Sequence, residues 1–323
     1  MAKTMKRSRP KRRAASISVL TQRRITIMTV NGATPSDPIR IFVGCDPNDC
    51  DLEQMMVLDH SLHQHASEPL EIHWMRLSGD PASPWYSAPA QGRGWRTEQW
   101  ATPFSGFRWA VPAVCGFAGR AIYMDVDVMA LGDIGELWSA PLAAPAVILG
   151  KGSGKDLRFC VSLWDNHRAR AHVGSLEALQ DDPQSHAKRT RHFASHPRLV
   201  AQIDPAFNNI DGEGLPVDRI RMLHYSDMGT QFSHGRAMAR LAREGQAHWF
   251  DGPLLTHPRR DLSALFDDCY EDALRSGRTL DDYRNPHPFG PVVKKSERRH
   301  KGNPVTRPGL LGKVRRVLGM GGV

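Results

Sequence analysis

Residues 39–44, "IRIFVG", put Ile39, Ile41 and Val43 on one side of a strand, directly after the turn-rich segment "NGATPSDP". The loop "CDPNDC" follows, and the spacing of Asp51 and Gln54 marks a helix start, with Leu52, Met55, Met56 and Leu62 as its buried face. Leu70, Ile72 and Trp74 then alternate as a second strand. Parallel strands need a long crossover, and a helix supplies it by packing on the sheet, so this order predicts an α/β chain with a mixed, mostly parallel sheet flanked by helices.

The rest of the pattern extends that sheet. Residues 79–106, rich in Gly, Pro, Ser and Trp, read as an irregular loop, and a helix is expected around "FRWAVPAVCGF". Further strands are expected at "RAIYM", at "PAVIL" (145–149), at "RFCVSL" (158–163) and at "RIRMLH" (219–224). Mostly helical, exposed structure is expected between "DNHRARAHVG" and "HPRLV". The clearest helix runs from Asp261 to Leu274, where Leu262, Leu265, Phe266, Tyr270 and Ala273 share one stripe.

With 40% hydrophobic residues over 323 positions, the chain can bury a sizeable core. Its apolar runs, such as "AVILG" at 146–150, fall far short of the roughly 20 residues of a membrane-spanning helix. The basic N-terminus lacks a secretory apolar segment, so a cytoplasmic protein is expected. Cys45, Cys50, Cys115, Cys160 and Cys269 show no CxxC spacing, which argues against a disulfide framework and a zinc site. The net charge of +9 resides in the ends: residues 1–24 carry nine Lys or Arg, residues 294–323 carry nine against the single acid Glu297, and the body between is acidic. A nucleic-acid-binding face would put that charge on the folded body, so nucleic acid is disfavoured as a partner. Three parts follow: a disordered basic arm over 1–37, a body over 38–290 and a basic tail over 291–323.

The strand "RAIYM" runs into Asp125 and Asp127, and in an open parallel sheet ligands bind beyond the carboxyl ends of strands. Residues i and i+2 project to the same side, so both carboxylates can reach one hard cation, Mn²⁺ or Mg²⁺, of the kind shared with substrate phosphates. Asp is also a good turn residue, and two such residues occur by chance at strand ends.

The segment "TPFSGFRWAVPAVCGFAGRAIYMDVDVMALGDIGELW", residues 102–138, resembles the core signature of glycosyltransferase family 8, with Arg108, Pro112, Tyr123, Asp125, Asp127, Asp133, Ile134 and Leu137 at matching places. The resemblance implies a GT-A, Rossmann-like nucleotide-binding fold and a retaining transfer of a hexose from UDP-glucose or UDP-galactose to a glycan or lipid-linked acceptor. It implies that Asp46 lies near the uridine, that Arg108 and Gly229 contact the donor with Asp125, and that His224, in "MLHYSDMGTQF", joins Asp125 and Asp127 on the metal. Asp204 and Asn208, in "QIDPAFNN", stand near the expected reaction centre.

The chain also departs from the family. Asp227 and Thr230 replace a Gly and a Lys of the late motif, Gln231 and Phe232 replace its Pro-Trp end, and the middle-strand "N-S-G" reads "CVSLWDN". The missing Lys leaves diphosphate binding to the metal, Arg108 and backbone amides.

Rival readings fare less well. A haloacid-dehalogenase-type phosphohydrolase also carries DxD after a strand, but Val128 and Met129 follow Asp127 where that resemblance expects small residues and a Thr or Val. "GKGSGKD" fails as a P-loop on spacing and on Asp156. The remaining alternative is a non-catalytic RNA- or membrane-surface-binding protein on a degenerate transferase scaffold. "GLLGKVRRVLGM", residues 309–320, sets Leu310, Leu311, Val314, Val317 and Leu318 against Lys313, Arg315 and Arg316, a pattern that fits an anionic inner-membrane surface.

Overall fold

The computed structural model describes residues 37–298, so the basic arm and the segment at 309–320 lie outside the described residues. The opening unit is the expected one: β1 (Ile39–Gly44), α1 (Leu52–His65) and β2 (Leu70–Met75), with β1 and β2 parallel from Ile39 opposite Leu70 to Gly44 opposite Met75. The Trp-rich loop after it holds a two-stranded ribbon, β3 (Ser87–Ala88) and β4 (Arg93–Gly94). Then come α2 (Val111–Val114), β5 (Arg120–Asp125), β6 (Val128–Ala130), α3 (Ile134–Trp138), β7 (Ile148–Lys151) and β8 (Arg158–Asp165). The helices α4 (Asn166–Val173), α5 (Leu176–Asp181) and α6 (Ser185–Ser195) fill the stretch read as helical. After them run β9 (Val200–Gln202), β10 (Asn209–Ile210), β11 (Met222–His224), α7 (His234–Arg243) and α8 (Arg260–Arg275).

Six strands make the main sheet in the order β2-β1-β5-β8-β7-β9, and three make a second sheet, β10-β11-β6. In the main sheet only β8 runs against its neighbours, so three of the five pairings are parallel. This is the mixed, mostly parallel α/β class that the sequence pattern predicts. Among the described residues, no helix is long and apolar enough to cross a membrane.

Several local differences have physical causes. β7 starts three residues later than the apolar run "PAVIL", because Pro145 has no N–H for a ladder and Ala146 N closes a turn on Ala143 O. β11 starts at Met222 because residues Val217–Arg219 form a 3₁₀ turn. The helix expected around "FRWAVPAVCGF" splits into a 3₁₀ turn at Phe107–Trp109 and the short α2, which carries Pro112 in its first turn and gives way to Gly116 at φ 61°. Packing also runs past residue 290: Lys295 N donates to Trp249 O at 2.7 Å, and Arg298 reaches Thr97 O at 3.2 Å.

α8 buries the stripe Leu262, Phe266, Tyr270 and Ala273, and Phe266 meets Tyr225 edge-on just beyond β11. Burying a side chain the size of Phe266 contributes roughly 1.5–3 kcal/mol. This packing holds the segment that carries His224 against the body.

Candidate active site at the carboxyl ends of β1 and β5

β2 lies on one side of β1 and β5 on the other, so the chain reverses its direction of winding at β1. At such a point in a parallel sheet, the loops leaving the two neighbouring strands diverge and open a crevice. Gly44, the last residue of β1, sits opposite Asp125, the last residue of β5. A Cβ on Gly44 would lie 3.0 Å from the Phe104 ring and 3.1 Å from the Tyr123 hydroxyl, so glycine leaves room for that hydroxyl. Tyr123 uses it to donate to Asp125 Oδ1. Arg108 Nη2 donates to the same oxygen at 2.9 Å, while Arg108 Nε is held by Ser105 O at 2.7 Å and the guanidinium lies 4.9 Å from the Tyr123 ring centre. Arg108 is therefore a fixed, largely buried cation rather than a solvated helix residue.

Asp127 is positioned by the second sheet. Val128 pairs with His224 across β6 and β11, and Tyr225 N donates to Asp127 O at 3.1 Å. Asp127 Oδ1 lies 3.2 Å from His224 Nε2, and its Oδ2 accepts from Gln231 Nε2 at 2.7 Å. Gln231 in turn accepts from Gln54 Nε2 at 2.7 Å, which also donates to Ser233 Oγ at 2.9 Å. His224 is 3% exposed, and its Nδ1 is buried with no partner. Burial disfavours a charged imidazole, but Cys160 and Asp127 outweigh it and hold the His224 pKa well above the usual histidine value. The two aspartates thus engage different groups, Asp125 with Arg108 and Tyr123, Asp127 with His224 and Gln231. Ligand atoms of Asp125, Cys160 and His224 lie within 4.8 Å of one another. That donor set, with an orphaned imidazole nitrogen in it, fits a divalent cation.

Three more carboxylates, Asp46, Asp49 and Asp51, are buried in the loop after β1. Asp46 Oδ1 accepts from the backbone of Asn48 at 2.7 Å and Cys50 at 3.3 Å, and Asp46 N donates to Asp51 Oδ2 at 2.8 Å. Burial raises the pKa of Asp46; burial, together with the charge of Asp46, pushes Asp51 to about 8.

The other expected residues sit apart in character. Gly229 lies in a turn, its N donating to Asp227 Oδ1 at 3.1 Å and its O accepting from Leu255 N at 2.7 Å. Asn208 is fully buried, and neither side-chain polar atom has a partner. Asp204 is exposed; its carboxylate caps a 3₁₀ turn through Ala206 N at 2.9 Å and lines a surface pocket with Glu136, Arg219 and Arg221. Sequence reasoning missed Cys160, Gln54 and the role of Gln231. The signals were present: Cys160 and Gln231 both stand where the chain departs from the resembled family. Lack of CxxC spacing has no bearing on a group assembled from three different strands.

No known protein-family profile matches the chain. Protein CDI of Arabidopsis thaliana is 33% identical over 111 residues, which cover 33% of this chain and 38% of that protein. The chain thus spans well under half the length of the curated relative it matches. Its structural neighbours are glycosyltransferases. One is a galactosyltransferase, LgtC, solved with donor and acceptor sugar analogs (10% identity, 72% of this chain and 96% of that one, TM-score 0.45). Another is the glycosyltransferase GlyE of Streptococcus pneumoniae TIGR4 (13% identity, 75% and 64%, TM-score 0.44). A third is mouse xyloside xylosyltransferase 1 (12% identity, 59% and 98%, TM-score 0.39).

Proposed function

We propose that the chain is a metal-dependent glycosyltransferase of the GT-A kind that moves a hexose from UDP-glucose or UDP-galactose, with retention, to a glycan or lipid-linked acceptor. The observation that carries this reading is the cluster of Asp125, Cys160 and His224 ligand atoms at the crevice where the winding of the sheet reverses, with Asp127 against His224 beside it. The sequence resemblance to family 8 supplies the donor, the stereochemistry and the acceptor class.

Asp125, Asp127 and His224 would hold the cation, with Mn²⁺ or Mg²⁺ as the ions that carboxylates favour. When bound, such an ion neutralises charge developing on the departing diphosphate. The chain's own groups do the rest. Arg108 presents a cation fixed by Ser105 and Tyr123, suited to a phosphate oxygen. Gln231 and Gln54 fix the Asp127 carboxylate, so its orientation is set before any ligand arrives. Asp46, just beyond β1, would lie near the uridine of the donor. We propose a cytoplasmic enzyme whose basic C-terminal segment rests on the inner face of the membrane, near lipid-linked acceptors.

Isothermal titration of UDP into the full chain, with and without Mn²⁺, tests the donor site. The expected result is cation-dependent binding that Asp127→Ala abolishes while its unfolding transition stays cooperative. Absence of UDP binding to folded wild type under both conditions would overturn the assignment.

A further inference from the structure

Asp127 is already occupied by His224 and Gln231, whereas the ligand atoms that cluster within 4.8 Å belong to Asp125, Cys160 and His224. Cys160 arrives there by register. The antiparallel ladder of β5 and β8 runs to Met124 opposite Val161, so Asp125 and Cys160 are the next residues along it. His224 comes from β11, in the other sheet. Cys160 is a free thiol, 8% exposed. Asp125 Oδ1 takes the Tyr123 hydroxyl and the shorter Arg108 bond, leaving Oδ2 with only a 3.4 Å contact to Arg108. The imidazole points the same way: His224 Nδ1 is buried without a hydrogen bond of normal length, and Cys160 is the side chain that acts on the ring beside Asp127.

We infer that Cys160, in place of Asp127, is a ligand of the cation at this site, so that a thiolate, an imidazole and a carboxylate form a zinc-type site rather than a manganese site of two carboxylates and an imidazole. This rests on the reading above that the crevice holds a cation. Hard ions such as Mg²⁺ and Mn²⁺ favour oxygen, whereas Zn²⁺ takes Cys, His and Asp together, and three protein ligands leave a fourth position for a substrate oxygen. Binding converts the Cys160 thiol to a thiolate and releases its proton to solvent. An ordinary buried Cys behaves as a small hydrophobe, and this one differs in lying beside an orphaned imidazole nitrogen and a carboxylate.

Zinc outranks manganese at most nitrogen and oxygen sites, so preference alone decides nothing, and the sulfur must be detected directly. The test loads the chelator-treated full chain with Co²⁺, a spectroscopic stand-in for Zn²⁺. The expected wild-type spectrum shows a thiolate-to-cobalt charge-transfer band that Zn²⁺ removes and excess Mg²⁺ does not. Cys160→Ser and Cys160→Ala should lose the band, and their Zn²⁺ affinity should fall at least about tenfold while Mn²⁺ affinity is unchanged. Two variants guard against a folding defect in either. Cobalt binding without that band, with Zn²⁺ affinity unchanged in both variants, would overturn the role of Cys160 and leave the carboxylate-imidazole site standing. Failure of folded wild type to bind any of these ions by calorimetry would overturn the cation reading itself.

Discussion

Asp46 and Asp51, in the loop after β1, and the acids of the helix α1 that follows it are buried in opposite ways. In α1, Glu53 receives Arg240 at 2.8 and 3.0 Å, and Asp59 receives Arg278 at 2.9 Å and the Tyr283 hydroxyl at 2.6 Å. In the loop, Asp46 accepts backbone N–H bonds from Asn48 and Cys50 with Arg298 acting on it from a distance, and Asp51 accepts the N–H of Asp46 itself beside Trp249. The pKa values diverge accordingly. Burial works to raise that of Asp59, but hydrogen bonds from His63, Tyr283 and Arg278 hold it at about 2, whereas Asp51 is pushed to about 8. A buried carboxylate with no cation in contact with it is costly to keep ionised, which is why Asp51 is pushed up while Asp59 is held down. Glu53 and Asp59 are each paired with an arginine within the fold, whereas Asp51 is not.

The largest test of this contrast is Arg240→Ala. Removing one partner of a buried pair leaves the other charge stranded, and Glu53 is 1% exposed at its side chain, so the loss should be about 3–5 kcal/mol. The double variant Glu53→Leu/Arg240→Met should recover most of that loss, because it strands nothing. Urea unfolding of the three proteins decides the matter: equal losses in the single and double variants would mean that Arg240 acts through its 2.7 Å bond to Asp49 O and not through the pair.

Asp51→Asn should act in the opposite sense. The folded-state pKa of Asp51, about 8, lies above the unfolded value of about 3.9, so the folded state holds an extra proton between those limits. Its stability is fully present below about pH 4 and declines as pH rises towards 8. Asp46, Asp127 and Trp249 are the groups that face it. Asparagine can still accept the Asp46 N–H without a charge, so the variant should match wild type at pH 4 and exceed it by ~2 kcal/mol at pH 8. A variant less stable than wild type at pH 8 would place Asp51 with Glu53 and Asp59.

The unevenness of what the sequence discloses follows from the same physics. β1, α1, β2 and the α8 stripe are legible because alternation and helical periodicity record burial directly along the chain. β6, β9 and β10 are two or three residues long, too short to carry a period, and α7 reads as "HGRAMARLAR", a polar segment whose buried Arg240 is explained only by distant partners in the fold, Glu53 first among them. In the site, Asp125, Asp127 and His224 stand out through motif resemblance. Cys160 does not, because its neighbours come from β5 and β11 and no local spacing announces them. Asp204 illustrates the converse: a polar residue before a proline reads as a site candidate, and in the fold its carboxylate caps the turn that the proline opens.

Asp59 gives the smallest effect and the sharpest sign. Its folded pKa of about 2 lies below the unfolded value of about 3.9, so the folded state binds fewer protons in that window and the stabilisation, present above about pH 4, is lost as pH falls towards 2. Asp59→Asn keeps an acceptor for the Tyr283 hydroxyl but deprives Arg278 of its counter-charge, leaving that guanidinium with His60 Nδ1 at 3.2 Å and Ser276. The variant should be less stable than wild type by ~1–2 kcal/mol at pH 6, and the gap should narrow between pH 4 and pH 3. Wild type and Asp59→Asn therefore converge in acid, whereas wild type and Asp51→Asn diverge in base. Unfolding midpoints over pH 3–8 for the two variants read both trends, and a gap for Asp59→Asn that stays constant with pH would show that shape rather than charge holds α1 to Arg278, removing one side of the contrast.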